Sequence, residues 1–417
     1  MATIAVIGAG AVGGYYGARL AQAGHDVRFL FRRDLAAVRE RGLRVYSPLG
    51  DFHLEEVAVA ASPEELGPAD WVICSLKATA LESARELVAP CVGPNTRIVA
   101  LMNGLGIEPR FAEWFGAWRV FGGMAFVCIN RGESGVIHHL EYGRVSIGHA
   151  LDDPAENATL EALLTSGNIE TVVAPNLRYA RWEKLCWNIP FNGLSVAGGG
   201  IGTQTILGDP ELRETAERAM REVVRMGNAD LVSLKSPARL PEEEVVGRMF
   251  SLTETMGDYR TSMVIDYVLG NPLEVEAILG NPVRRARELS VEGVRVAGHR
   301  FRRLRRRVRP LCADRERVAQ QAGGAGDQGD VQEGRTALNG AGEKMTTEII
   351  PVTDQDGGIV EGSWLAKAEA VHRELRPQIP AGYVAKMRAI FGGGGRMVVA
   401  VQGERVVGLV VYRTYED

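Results

Sequence analysis

The chain has 417 residues, long enough for two or three domains with sizeable cores. Hydrophobic residues make up 46%, charged residues 24%, and the formal net charge is −4, so neither global disorder nor a field suited to nucleic acid or membrane is indicated. Five scattered cysteines (Cys74, Cys91, Cys128, Cys186, Cys312) without CxxC or other metal spacing argue against a disulfide scaffold or a metal cluster and suit a reducing cytosol. No apolar run approaches the ~20 residues of a membrane span. No room for a signal peptide is expected ahead of the first strand, and a cytoplasmic protein is anticipated.

Thr3-Ile4-Ala5-Val6-Ile7 is short, apolar and β-branched, the pattern of a buried parallel strand. It runs into Gly8-Ala9-Gly10-Ala11-Val12-Gly13, after which Tyr15 to Ala23 reads as a helix stopped by Gly24. Strand, glycine turn and helix together form the dinucleotide fingerprint, with Gly8 permitting the turn, Gly10 the approach of a pyrophosphate and Gly13 close helix–strand packing. Gly8, Gly10, Ala11, Val12 and Gly13 are therefore the expected cofactor-binding positions, with phosphates held at the helix N-terminus. A second strand, Asp26 to Phe31, ends in Arg32-Arg33, with Asp34 only afterwards. A guanidinium fork suits a ribose 2′-phosphate and a carboxylate would repel it, so NADPH/NADP+ is favoured over NAD.

Strands alternate with helices up to about Val173: Trp71 to Leu76 ends in Lys77, Thr96 to Met102 ends in Asn103-Gly104, and further strands are expected at 120–129, 135–138 and 144–147. This implies a parallel sheet wrapped by helices, with ligands beyond the carboxyl ends of its strands, where Arg32, Lys77 and Asn103 fall. From about Asn176 the strand signal disappears, and helices are expected over 177–197, 210–231, 241–255 and 273–289. The expected organisation is an α/β Rossmann-type domain at 1–174, an all-α substrate domain at 175–291, a disordered Arg/Gly-rich linker at 292–344 and a small α+β tail at 345–417.

The first helix of the all-α domain carries Lys184, Asn188 and Asn192 at i, i+4 and i+8. Successive members are about 40° apart around the axis and roughly 6 Å apart along it, which makes one polar stripe. Leu185, Trp187, Ile189 and Phe191 cover other faces, so the stripe is expected to face inward rather than water. A lysine there supplies a cation and proton donor, as carbonyl reduction requires. Ser262 and Glu274 flank the turn Gly270-Asn271-Pro272; from spacing alone Glu274 and Glu276 read as ordinary acidic residues at a helix start.

Taken together, Gly8-x-Gly10-x-x-Gly13, Arg32, Ser75-Leu76-Lys77, Asn103-Gly104-x-Gly106, Trp182-x-Lys184-Leu185-x-x-Asn188-x-x-x-Asn192, Ser262-Met263 and Glu274-x-Glu276 resemble the ketopantoate reductases (2-dehydropantoate 2-reductases) over residues 2–290. The resemblance implies NADPH-dependent reduction of 2-dehydropantoate to (R)-pantoate, a step towards pantothenate and coenzyme A. It implies that Arg32 holds the 2′-phosphate, Lys77 serves the cofactor's phosphate end, and Asn103 sits at nicotinamide and substrate. Lys184 becomes the general acid, while Asn188, Asn192, Ser262 and Glu274 orient the substrate. Two departures stand out. Gly198-Gly199-Gly200-Ile201-Gly202 occupies a segment where the family has a further polar residue, and an arginine-rich stretch begins where the family has a closing helix. Other readings are reduction of another 2-keto acid and a non-catalytic NADP-binding sensor. A homodimer stays open.

Arginine dominates 295–317 without one lysine, and a stretch rich in Gly, Ala, Gln, Asp and Glu follows. The stretch reads either as a basic nucleic-acid arm or as a linker or out-of-frame sequence, and the missing lysine favours the linker or out-of-frame reading. From Met345 the order of strand, two helices and a hairpin resembles the start of a GNAT-type N-acetyltransferase that stops before the pyrophosphate-binding turn. The resemblance thus implies no acetyl transfer.

Overall fold

A computed structural model of the chain describes residues 1–292 and, further on, 347–353, 359, 364–369, 384, 387–388, 391, 395–402 and 405–413. The chain divides into two units, Met1–Asp327 and Gln328–Asp417. The first opens with β1 (Thr3–Ile7), α1 (Ala11–Gln22), β2 (Asp26–Leu30), α2 (Leu35–Arg41), β3 (Leu43–Tyr46), β4 (Phe52–Leu54) and β5 (Ala58–Ala60). It continues through α3 (Pro63–Leu66), β6 (Ala69–Cys74), α4 (Leu81–Val88), β7 (Val92–Ala100) and α5 (Ile107–Phe115). β8 (Val120–Arg131), β9 (Val136–His149), α6 (Pro154–Ser166) and β10 (Thr171–Val173) complete the α/β half.

The strands form one sheet in the order β4-β3-β9-β8-β7-β6-β1-β2-β5, with β10 paired to β9. β1 lies between β6 and β2, parallel to both, and Ile4 to Ile7 are shut off from solvent. Burial on both faces explains why this strand is apolar without alternation. The expected parallel arrangement holds from β5 to β8, but β8 pairs antiparallel with β9, and β3 with β4. Only residues 132–135 separate β8 from β9, whereas a parallel return needs about a dozen or more. The two short strands expected at 135–138 and 144–147 are one strand of 14 residues. Irregular register near Val127 and Ile129, and a positive φ of 63° at Tyr142, break its alternation and disguise its length.

The helical half comprises α7 (Leu177–Ala197), α8 (Thr203–Gly208), α9 (Pro210–Ser233), α10 (Glu242–Thr255), α11 (Ser262–Leu269) and α12 (Asn281–Glu288). α7 begins where the side chain of Asn176 accepts a hydrogen bond from Tyr179 N at 2.7 Å. It packs Trp182, Leu185 and Ile189 against Met220, Val223 and Val224 of α9 in the main core of this half. Burying each such side chain stabilises by about 1.5–3 kcal/mol. The single helix expected over 273–289 is instead a π-helical turn, Glu276–Gly280, followed by α12. Pro282 in the first turn of α12 has no N–H with which to continue a regular ladder. α8 and α11 were not anticipated. α11 is a short apolar segment, and such segments look alike as helix or strand.

In the second unit β11 (Thr347–Pro351), β12 (Gly395–Gln402) and β13 (Arg405–Arg413) form an antiparallel sheet in that order. β12 and β13 make the expected hairpin, and 364–369 is helical. Val352, Leu365, Ala368, Met387, Phe391, Met397 and Val399 make a small core. The arginine-rich stretch, the Gly/Ala-rich segment after it, the position of the closing helix and most of the two expected tail helices lie outside the described residues.

Candidate active site

The glycine turn is shaped by contacts on its inner side. Gly8 has φ +89°, and a Cβ there would lie 2.8 Å from the Leu76 amide nitrogen. A Cβ on Gly13 would lie 2.0 Å from Ser75 Oγ, which itself donates to the Gly8 carbonyl at 2.9 Å. The turn and α1 are thus clamped to the end of β6. α1 starts at Ala11 rather than Tyr15, so Ala11 and Val12 form its first turn. Small residues are enough for that turn because its backbone is held from the β6 side. No side chain caps this end and no acidic residue lies in the first turn, which leaves the positive helix terminus to an anion.

At the end of β2, Arg32 and Arg33 are exposed, and Arg32 forms no ion pair or side-chain hydrogen bond among the described residues. Asp34 is buried and paired with Arg131 of β8. The carboxylate that would repel a 2′-phosphate is thereby engaged elsewhere, and the rim residue left exposed is a guanidinium. These residues fit a phosphorylated ribose.

Ala78, Asn103 and Glu274 meet where the two halves touch. Glu274 is buried and accepts from the Ala78 amide at 2.8 Å and from Asn103 Nδ2 at 3.3 Å. Glu276 is instead exposed and paired with Arg284. The two glutamates thus have different fates, and only the second keeps the bland helix-start reading. Lys77 Nζ lies 2.8 Å from Asp266 of α11, so its charge is directed across to the helical half. Asn188 Nδ2 reaches Asn103 Oδ1 at 3.5 Å, the outer limit of a hydrogen bond.

On α7, Asn188 and Asn192 are 3% and 1% exposed, so the stripe is not a solvated face. Asn192 Oδ1 accepts from the Met263 amide at 3.3 Å and docks the start of α11, where Ser262 is the first residue. Asn192 Nδ2 is buried with no hydrogen-bond partner among the described residues, an orphaned donor of the kind a bound ligand or water satisfies. Lys184 is partly buried, with Nζ 4.1 Å from the centre of the Phe126 ring and 5.6 Å from that of Trp187. Burial brings its amine down to about 8; Arg144 acts in the same direction, and Cys128 and Glu183 oppose it. An amine of this kind exchanges protons readily near neutral pH.

The structure therefore brings Asn103, Asn188 and Glu274 into direct contact through Asn103, and seats Ser262 beside Asn192. It leaves Arg32 exposed just past the end of β2, and it engages Lys77 with Asp266. Sequence reasoning missed Asp266, four residues after Ser262 on α11, and Phe126, whose β8 position carries no chemical signal. It also missed Arg181, one turn before Lys184, and its partner Glu108.

A dinucleotide turn at the head of a parallel sheet, facing a helix that carries a lysine and two buried amides, defines a two-domain oxidoreductase dependent on a nicotinamide cofactor. Residues 4–152 match the family described as ketopantoate reductase PanE/ApbA, and residues 176–297 match its C-terminal counterpart. The 2-dehydropantoate 2-reductase of Nostoc sp. is 36% identical over 293 residues, covering 69% of this chain and 89% of that protein. The crystal structure of 2-dehydropantoate 2-reductase from Geobacter metallireducens superposes with a TM-score of 0.68 at 39% identity, covering 74% of this chain and 99% of that one. The corresponding structure from Methylococcus capsulatus gives 0.62 at 32% identity, covering 78% and 98%. The chain belongs to the ketopantoate reductase PanE/ApbA family.

Proposed function

We infer that the chain reduces 2-dehydropantoate to (R)-pantoate with NADPH, using the cleft between its α/β and helical halves. The observation that carries this reading is Lys184: an amine brought down to about 8, set against the Phe126 ring, on the helix whose Asn188 reaches Asn103. Family membership supplies the substrate class. The Gly8–Gly13 turn and the N-terminus of α1 hold the pyrophosphate, and Arg32 takes the 2′-phosphate. Lys77 serves the same end: its amine is half-exposed, while the Asp266 carboxylate that orients it is buried.

When bound, the reduced nicotinamide supplies the hydride. Lys184 holds a proton at the C2 carbonyl oxygen and releases it as the alkoxide develops, then recovers one from water. Asn188, Asn192 and Ser262 orient the substrate, the unpartnered Asn192 Nδ2 being free to donate. Glu274 holds Asn103 and presents its remaining lone pairs to a substrate hydroxyl. Held so, the reactants gain much of the orientation that catalysis needs.

A second reading, reduction of a different 2-keto acid, is favoured by Gly198–Gly202, where the family's further polar side chain is missing. A non-catalytic sensor would bind NADPH without turnover. Cytoplasmic residence is supported by the free, buried Cys74, Cys91, Cys128 and Cys186. A homodimer is kept as an expectation, to be read by sedimentation.

The deciding experiment follows NADPH oxidation by absorbance with 2-dehydropantoate and a panel of 2-keto acids, for wild type and Lys184→Ala. The expected result is turnover with 2-dehydropantoate that falls by at least about 100-fold in the variant, while NADPH still binds. Turnover only with another keto acid would select the second reading. Cofactor binding with no turnover on any of them would leave the sensor.

A further inference from the structure

Arg181 and Glu108 form a buried charge pair that the reaction as described does not use. Arg181 lies in α7 one turn before Lys184 and is 2% exposed; Glu108, at the start of α5, is 5% exposed. The guanidinium donates through Nε to Glu108 Oε1 at 2.7 Å, and through Nη2 to the same oxygen. Nη2 also donates to the Ala100 carbonyl at 3.1 Å, and Nη1 donates to the Met102 carbonyl. Ala100 is the last residue of β7, and Met102 immediately precedes Asn103. One side chain of the helical half therefore grips the strand end that presents Asn103.

On α7, a residue three before Lys184 is rotated about 60° from it, between Asn188 and Asn192 on the same stripe. The helix is consequently tied to the end of β7 at two points, by Arg181 on the Ala100 and Met102 carbonyls and by Asn188 on Asn103. Lys184 lies between them. A buried ion pair is weak support for stability, since removing two charges from water roughly cancels their attraction. A fork that simultaneously fixes one carboxylate and two carbonyls is, however, a strong constraint on geometry, and lysine's single ammonium cannot reproduce it.

We propose that Arg181, held by Glu108, is a positioning residue for this reductase: it sets α7 against the end of β7 so that Lys184 and Asn188 face the reacting centre in register with Asn103. This rests on the reductase reading above and adds to it a part outside the substrate's reach.

The test compares Arg181→Lys, which keeps a cation beside Glu108, with the paired variant Arg181→Met/Glu108→Leu, which leaves neither charge buried. NADPH affinity, kcat, KM for 2-dehydropantoate and the titration of the Lys184 amine by 13C NMR are measured on the full chain, at temperatures where each variant is folded by circular dichroism. The expected result is a fall in kcat of at least tenfold in both variants, NADPH affinity within about threefold of wild type, and a Lys184 titration displaced from that of wild type. A kcat within about threefold of wild type in a folded variant would overturn the proposal, whatever happens to its melting temperature. If Arg181→Lys does not fold, the paired variant decides alone. If wild type turns over no 2-keto acid, the reductase reading fails on its own, and an undisplaced Lys184 titration in the paired variant then rejects the positioning role separately.

Discussion

At the scale of residues, the proposed chemistry turns on two charges in contrasting settings. Lys184 is held among aromatic rings by burial, and its amine lies at about 8. Because it must be protonated to act as an acid, kcat/KM for reduction should be flat below that value. It should fall about tenfold per pH unit above it, and the pH profile of kcat/KM reads this directly. The reverse oxidation needs the neutral amine and should rise across the same window; a reduction profile flat to pH 10 would remove Lys184 from the acid role. Arg32 is exposed instead, and Asp34 beside it is tied to Arg131. Losing a charge-assisted bond costs about 1.5–3 kcal/mol, so Arg32→Ala should raise KM for NADPH by about 10- to 100-fold. KM for NADH should hardly move, and equal losses with both cofactors would refute the 2′-phosphate assignment. Neither setting is visible in the chain itself: the motif names Lys184 and Arg32, but Phe126 and Arg131 come from β8, far away in sequence.

At the scale of elements, α7 is the piece on which the proposed site depends. Its start is fixed by Asn176, whose Oδ1 caps the Tyr179 amide and whose Nδ2 donates to Ser236 beyond α9. Asn176→Ala should lower stability by about 1 kcal/mol through loss of the cap. A thermal melt shows this as a decrease of a few degrees, with NADPH affinity unchanged. An unchanged melt would mean that burial of Trp182 and its neighbours, not the cap, fixes the start of the helix. The boundaries of α7 were legible because cap, apolar faces and polar stripe agree over 21 residues. The end of the helical half was not, since the π-helical turn and α12 depend on how Leu105 N bonds the Ala277 carbonyl and Asn281 Nδ2 the Leu105 carbonyl. Those bonds join segments some 170 positions apart, and no local pattern announces them.

At the scale of the whole molecule, every proposed cofactor and substrate residue lies between Gly8 and Glu274, inside the first unit. A chain ended at Asp327 should therefore keep kcat and NADPH affinity within about twofold of the full chain. A collapse on truncation would assign residues beyond it a part in the reductase. Among the described residues no helix is long and apolar enough to cross a membrane. The second unit contributes a hairpin and a small core. From its resemblance we expect no thiol release when the full chain is given acetyl-CoA and an amine acceptor.

Local patterning in the chain carried the α/β and helical halves, the glycine turn between β1 and α1, and the spacing of Lys184, Asn188 and Asn192 on α7. Each of these is encoded within one strand, turn or helix, by periodicity, glycine placement or spacing. Long-range packing alone turns Glu274 from its own helix start to Asn103 and Ala78, withdraws Asp34 to Arg131, faces Lys77 to Asp266, and has Arg181 join α7 to the end of β7. In each case the partners lie at least 70 positions apart, and their meeting is set by the packing of one half against the other or of strands across the sheet.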